Sequence, residues 1–257
     1  MTQIYAIANQ KGGVGKTTTV LNVGAALAQQ GSRVLLIDLD PQASLTAHLG
    51  LDPYRQERSS YSLVMFDEIA LSRVLKPVGA NLALVPGSID LATAAIKIVQ
   101  ERQPLNRLQV ALRANQLGFD YVLLDTPPSL SVLTVSALLA AQQVLIPVQC
   151  NHMAMLGVRA MLDVMRRIRD QMGNPQLSLR GVVATLFDAE ALYAQRVLDE
   201  LRALLPGQIL NTIIPYDTHI GDAPHQGKSA LAYLPDSPGA AAYRRLADEL
   251  VKPKTGS

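Results

Sequence analysis

The sequence predicts an α/β fold, a single doubly wound, mainly parallel sheet with helices on both faces. Three observations carry this expectation. A glycine-rich loop, Lys11-Gly12-Gly13-Val14-Gly15-Lys16-Thr17-Thr18, joins a short apolar run to an amphipathic segment, in the strand, loop, helix order of a phosphate-binding site. Apolar runs then alternate with helical patterns almost to the end of the chain. Two of those runs, residues 33–39 and 121–124, are nearly continuous in apolar side chains, as strands covered on both faces must be.

Taken in order, residues 4–8 read as the first strand and residues 18–30 as a helix, with Val20, Val23, Ala26 and Leu27 on one face and Gly31 as its stop. Residues 33–39 form the second strand. Residues 51–77 are less regular, a surface excursion with Pro53, a polar patch and a helical segment at 63–75. Residues 82–85 are a strand closed by Pro86-Gly87, and 89–100 and 105–115 are helices separated by Pro104. The strand at 121–124 ends in Asp125, a helix covers 131–141, and a strand covers 144–148. The pattern repeats as helix 156–172, strand 181–186, helix 191–205 and strand 209–214. The last helix, 240–251, places Tyr243, Leu246, Ala247 and Leu250 on one face, the spacing of a helix docked on a core. One domain is expected over residues 1–257, with a flexible tail at 252–257.

Composition narrows the function. Of 257 residues 49% are apolar and 17% charged, which excludes a disordered chain, and no apolar run is long enough to span a bilayer. The start carries no basic region followed by an apolar stretch and cleavage site, so a cytoplasmic location is expected. The single cysteine, Cys150, permits no internal disulfide and reads as a small buried residue after a strand. The net charge of +2 does not advertise nucleic acid. The four histidines show no metal-ligand spacing, and His219 and His225 read as surface residues.

The glycine loop is how a chain holds a triphosphate. Gly12, Gly13 and Gly15 let successive N–H groups, with those of Val14 and Thr18, turn towards phosphates; Lys16 supplies a point charge, and the Thr17 hydroxyl can ligate Mg²⁺. The helix that follows aims its positive end at the same anion. The general pattern asks for glycine where this chain has Gln10, and a second lysine, Lys11, follows. A lysine there is unnecessary for phosphates of its own subunit, so it points to a second nucleotide.

Open parallel sheets bind ligands at the carboxyl ends of their strands. Asp125 follows four apolar residues, the pattern whose carboxylate reaches Mg²⁺ through a water. Asp38 and Asp40 are two apart, so on an extended strand they face one side, and sharing a metal, a lysine or a water would relieve their repulsion. Asp40 is the candidate to orient the attacking water, and an additional candidate for the metal. Residues 126–131 follow Asp125 directly and could sense the γ-phosphate.

These residues resemble the ParA (Soj-like) partition ATPases, P-loop NTPases related to MinD. The likeness lies in Asn9-Gln10 with the glycine loop, Asp38-Leu39-Asp40-Pro41-Gln42, Asp125-Thr126-Pro127-Pro128-Ser129, Ser88-Ile89-Asp90-Leu91-Ala92, and Ile214-Pro215 through Asp222-Ala223-Pro224 to Gly227-Lys228. It implies ATP and Mg²⁺ as cofactors and a homodimer sandwiching ATP, with Lys11 reaching the partner's phosphates and Pro215 and Asp217 beside adenine. It also implies slow hydrolysis stimulated by a ParB-like or cargo-adaptor protein, release from non-specific DNA, and positioning of a plasmid, chromosome origin or protein assembly in a cytoplasmic, nucleoid-associated setting. Lys11, Lys16, Asp40 and Asp125 would carry the catalysis. Where the family often has DNA-contacting arginines this chain has Glu190 and Tyr216, and the family's asparagine beside adenine is Asp217. The substitute candidates for DNA contact are Arg159, Arg166, Arg167, Arg169, Lys228, Arg244 and Arg245. Two other readings stay open, a MinD-like membrane-recruited regulator and a metabolic P-loop ATPase such as an amidoligase.

Overall fold

The computed structural model describes residues 2–67, 69–114 and 118–252. The expected helix end at Asn115 and the expected tail beyond Lys252 lie outside them. Eight strands are described: β1 (Gln3–Ile7), β2 (Val34–Asp38), β3 (Lys76–Gly79), β4 (Leu82–Val85), β5 (Tyr121–Asp125), β6 (Gln143–Gln149), β7 (Ser178–Phe187) and β8 (Ile209–Pro215). The helices are α1 (Lys16–Gln29), α2 (Ser44–His48), α3 (Ser60–Met65), α4 (Asp90–Gln100), α5 (Arg107–Ala114) and α6 (Val132–Ala140), followed by α7 (Ala154–Gln171), α8 (Leu192–Leu204), α9 (Thr218–Asp222), α10 (Ala230–Tyr233) and α11 (Pro238–Val251).

The strands form one sheet in the order β3-β4-β2-β5-β1-β6-β7-β8. All neighbours pair in parallel except β3 with β4, an antiparallel edge. Side chains alternate across the sheet and seed two cores. Ala6, Leu35, Ile37 and Leu124 face one core with α3 to α8, while Tyr5, Ile7, Leu36 and Leu123 face the other with α1, α10 and α11. All five residues of β2 are buried, as its continuous apolar run requires.

Two expectations need correction. The helix expected at 63–75 is instead α3, an extended Phe66, a tight turn at Leu71–Arg73 and the edge strand β3. Pro77 suits that edge position, where no ladder hydrogen bond from its nitrogen is needed. Nor is this stretch only a surface excursion, since Leu63, Val64, Leu71 and Val74 are buried in the core. The short helices α2, α9 and α10 lie in segments whose sequence carries too few turns for a helical period to show.

The docked reading of the last helix holds. Tyr243, Leu246, Ala247 and Leu250 are buried on the sheet. The Arg180 guanidinium donates to the carbonyls of Glu249, Leu250 and Lys252, satisfying the free acceptors at the end of α11. Among the described residues no helix is long and apolar enough to cross a membrane.

Candidate active site

The parallel register gathers the strand ends. Ile7 of β1 and Asp38 of β2 both stand beside Asp125 of β5, so the glycine loop and the two carboxylates meet in one row. The loop leaves β1 and enters α1 through Gly15, with Gly13 and Gly15 at φ 72° and 77°, a left-handed backbone that a β-carbon would strain. Among the described residues no intramolecular acceptor takes the N–H groups of residues 12–18, so they remain available to an anion at the start of α1.

Three side chains outside the loop hold its shape. Asn9 accepts from Lys11 N–H at 3.0 Å and donates to the carbonyl of Pro147 at 2.7 Å. Thr185, near the end of β7, donates to the carbonyl of Val14 at 2.8 Å. Thr126 donates to the carbonyl of Ile7 at 2.8 Å, which ties the start of the 126–131 segment to the root of the loop. Pro128 lies opposite Gly12, where an added β-carbon would sit 3.8 Å from its Cβ. The expected γ-phosphate sensor thus packs directly on the loop.

Lys16 is buried, and its ammonium donates to the carbonyl of Lys11 at 3.0 Å. Burial lowers its pKa, opposed by the negative charges of Asp125 and Asp40. Asp125 is wholly buried, and neither carboxylate oxygen has a hydrogen-bond partner. Burial, then Asp38 and Asp40, push its pKa well above the carboxylate range; the hydroxyl of Thr17 and the charge of Lys16 oppose them. Thr17 is near enough to exert that pull without standing in hydrogen-bond geometry. A buried carboxylate without a proton donor and beside a hydroxyl suits a hydrated Mg²⁺, which takes few protein ligands and keeps its waters and phosphates.

The Asp38 carboxylate turns into the protein. Its carboxylate accepts from the backbone and hydroxyl of Thr46 at 2.9 and 2.7 Å and from Asp40 N–H at 3.2 Å. It anchors α2, and burial pushes its pKa up to about 6 against those hydrogen bonds. Asp40 is the freer of the two; it accepts from Gln42 N–H at 2.9 Å and sits close enough to Lys16 to act on it electrostatically.

Beside the loop opens a cleft of about 720 Å³ lined by Gly15, Thr18, Pro215, Asp217, His48 and Tyr243 among others. Pro215 and Asp217 thus share one cleft with Gly15 and Thr18 of the loop. The Asp217 carboxylate also caps α9 and holds α11: it accepts from His219 N–H at 3.0 Å and Gly239 N–H at 2.8 Å. Burial alone would raise its pKa, but the hydrogen bonds from Gly239 and His219 bring it below the usual value. His219 and His225 are exposed as expected, although His225 also lines the cleft opposite His48. Cys150 is buried and its thiol is pushed up to about 11, an inert side chain.

The basic residues named from sequence do not converge. Arg159, Arg166, Arg167 and Arg169 ride on α7, on one side of the sheet, whereas Arg244 and Arg245 ride on α11 on the other and Lys228 precedes α10. Arg166 and Arg169 are paired with Asp163 and Asp170. Sequence reading also missed Asn9 and Thr185 as loop supports and Thr46 as the partner of Asp38. The strand-end rule that selected Asp125 could have found Thr185, but nothing local marks Thr46.

A family model described as an AAA domain matches residues 2–179. The chain is 43% identical over 246 residues to the chromosome-partitioning ATPase Soj of Thermus thermophilus, covering 96% of this chain and 94% of that protein. It is 38% identical over 250 residues to the sporulation initiation inhibitor protein Soj of Bacillus subtilis, covering 97% and 98%. Among solved structures, a cobyrinic acid a,c-diamide synthase from Mycobacterium smegmatis with bound ADP and magnesium matches at a TM-score of 0.83 and 38% identity, over 96% of this chain and 93% of that one. With the glycine loop, the strand-end carboxylates and these full-length likenesses, the chain belongs to the ParA/Soj family of partition ATPases.

Proposed function

We propose that residues 1–257 act as one Mg²⁺-dependent ATPase domain that dimerises around ATP and positions a cargo: a plasmid, a chromosome origin or a protein assembly. The observation that carries this reading is the buried, partnerless carboxylate of Asp125 beside Lys16 at the root of the glycine loop. Residues 12–18 hold the phosphates through backbone N–H groups, Lys16 neutralises them, and Pro215 and Asp217 flank the base. Thr17, Asp125 through a water, and Asp40 as a further candidate hold the metal. When bound, Mg²⁺ offsets the charge that develops on the transferred phosphoryl group. Asp40 orients the attacking water, and the 126–131 segment, tied to the loop through Thr126, reports the γ-phosphate.

Lys11 is half-buried at the loop's start and is the residue assigned to the second subunit's phosphates. Lys11→Ala is expected to bind ATP as a monomer yet lose ATP-driven dimerisation and most hydrolysis, measured by light scattering and phosphate release. Dimerisation at wild-type ATP concentrations would overturn that role. A ParB-like or cargo-adaptor protein and non-specific DNA are the partners of this reading, and the cytoplasm with the nucleoid its place.

The diamide synthase likeness favours a second reading, ATP-driven amide formation. Against it, the only cysteine of the chain is buried and its thiol is held protonated, so no thiol is present to release ammonia from glutamine. ATP turnover that responds to DNA or an adaptor supports the first reading; turnover that responds only to a carboxylic acid and ammonia supports the second.

A further inference from the structure

Outside the nucleotide site, one surface cleft is lined mainly by cations. It has a volume of about 440 Å³ and is lined by Arg55, Arg58, Arg73 and Lys76, with Glu57 as the one carboxylate in its wall. Arg55 ends a tight turn at Pro53–Arg55, Arg73 ends the turn at Leu71–Arg73, and Lys76 opens β3. The three arginines are exposed. Among the described residues only Arg55 has a carboxylate partner, Asp52 at 3.3 Å, and both side chains are largely in water, where such a pair is weak.

The segments beneath these cations are tied together. Lys76 donates to the Gln56 amide at 2.6 Å, bridging the two walls. Leu71 and Val74 are buried under Arg73, and Ser59 and Ser60, next to Arg58, are buried as well. Ser60 N–H donates to the carbonyl of Pro86 at 2.8 Å and its hydroxyl to the carbonyl of Asp38, so the cleft is pinned to the end of β2. These contacts join the segment that follows Arg58 to the end of β2, which leads into Asp40.

We infer that this cleft binds the phosphate backbone of DNA, with Arg55, Arg58, Arg73 and Lys76 as its contacts. Guanidinium groups present paired donors that match phosphate oxygens. Four cations spread over one open cleft suit successive phosphates better than a single anion. The lining is almost wholly charged, with Val74 and Leu75 as its apolar members, which fits the polar, positive character of nucleic-acid interfaces and lacks the aromatic core of a protein interface. This assignment rests on the proposed reading in which the protein meets DNA, and it adds a face that no arginine of α7 or α11 supplies.

The test is fluorescence anisotropy of a labelled duplex of mixed sequence with the full chain, ATP and Mg²⁺, across salt. Arg58→Gln/Arg73→Gln is expected to weaken binding about tenfold or more and to reduce the slope of log affinity against log salt by about 2. ATP turnover without DNA stays at the wild-type rate, which also shows that the variant is folded. Arg166→Gln/Arg167→Gln on α7 is expected to bind as wild type. Unchanged affinity and slope in Arg58→Gln/Arg73→Gln overturns the assignment and leaves the partition reading standing. A wild-type protein that dimerises with ATP but binds polyglutamate rather than duplex through these arginines overturns it in favour of an acidic protein partner. A wild-type protein that neither dimerises nor binds DNA overturns both.

Discussion

Replacing Thr46 by valine, nearly identical in shape, tests how the fold holds the Asp40 segment. The Thr46 hydroxyl is fully buried; it donates to the Asp38 carboxylate at 2.7 Å and accepts from Gly87 N–H at 2.7 Å. Thr46→Val removes a hydrogen bond to a charged group, worth about 1.5–3 kcal/mol, and leaves a buried N–H unsatisfied, which costs about 1–3 kcal/mol. The expected destabilisation at pH 7.5 is about 3–5 kcal/mol, or roughly 6–20 °C in Tm for a chain of this length. The effect depends on pH in a set direction. Asp38 has its pKa raised from 3.8 to about 6, so the folded state holds that proton more tightly than the unfolded chain. Its burial therefore weakens the fold as pH rises from about 4 through 6, by about 3 kcal/mol in all, and this loss disappears on acidification. Below pH 6 the carboxyl is protonated and no longer needs the threonine donor as an anion, so the cost of Thr46→Val falls towards that of the unsatisfied N–H alone. Urea unfolding of both proteins without nucleotide, at pH 7.5 and pH 5, measures this. A loss under about 1 kcal/mol, or one equal at the two pH values, would refute the role given to Thr46.

Two further outcomes follow from the site. Asp125→Asn keeps the side chain's shape but removes the carboxylate; stabilisation by ATP and Mg²⁺, about 2.7 kcal/mol or roughly 5–11 °C for wild type at a hundredfold excess over Kd, is expected to be mostly lost. A melting shift as large as wild type's would remove Asp125 from the metal site. In Gly239→Ala the new β-carbon overlaps Ile220 and approaches Asp217 Oδ2 to 2.9 Å. That is expected to cost about 1–3 kcal/mol and to weaken nucleotide binding, because both neighbours line the cleft; calorimetry showing full affinity would place the base elsewhere.

The strand, loop, helix unit at residues 4–30 was legible because each of its parts is local: an apolar run, glycines and an amphipathic period. Helix boundaries elsewhere shifted by a residue or two, as frayed ends do. The 63–75 segment misled for a physical reason. Its buried residues, Leu63, Val64, Leu71 and Val74, are spaced close to a helical period, yet the first two belong to the short helix α3 and the last two to a separate tight turn. Periodicity measures which residues are buried, and here burial comes from two elements rather than one. For Asp38 the sequence spacing shows which face the side chain leaves from, and only the structure shows that Thr46 is the donor that meets it.

By itself the sequence determined the chemistry at the loop and at the strand ends, because glycine conformations, a lysine and terminal carboxylates act where they stand along the chain. Only the tertiary structure decided how charge is shared out. Parallel pairing set Asp38 beside Asp125, the two faces of the sheet separated the arginines of α7 from those of α11, and two turns eighteen residues apart in the chain helped bring Arg55, Arg58, Arg73 and Lys76 into one cleft. Electrostatic interaction depends on distance through space, and it is the layering of helices on the sheet, rather than spacing in the chain, that sets those distances.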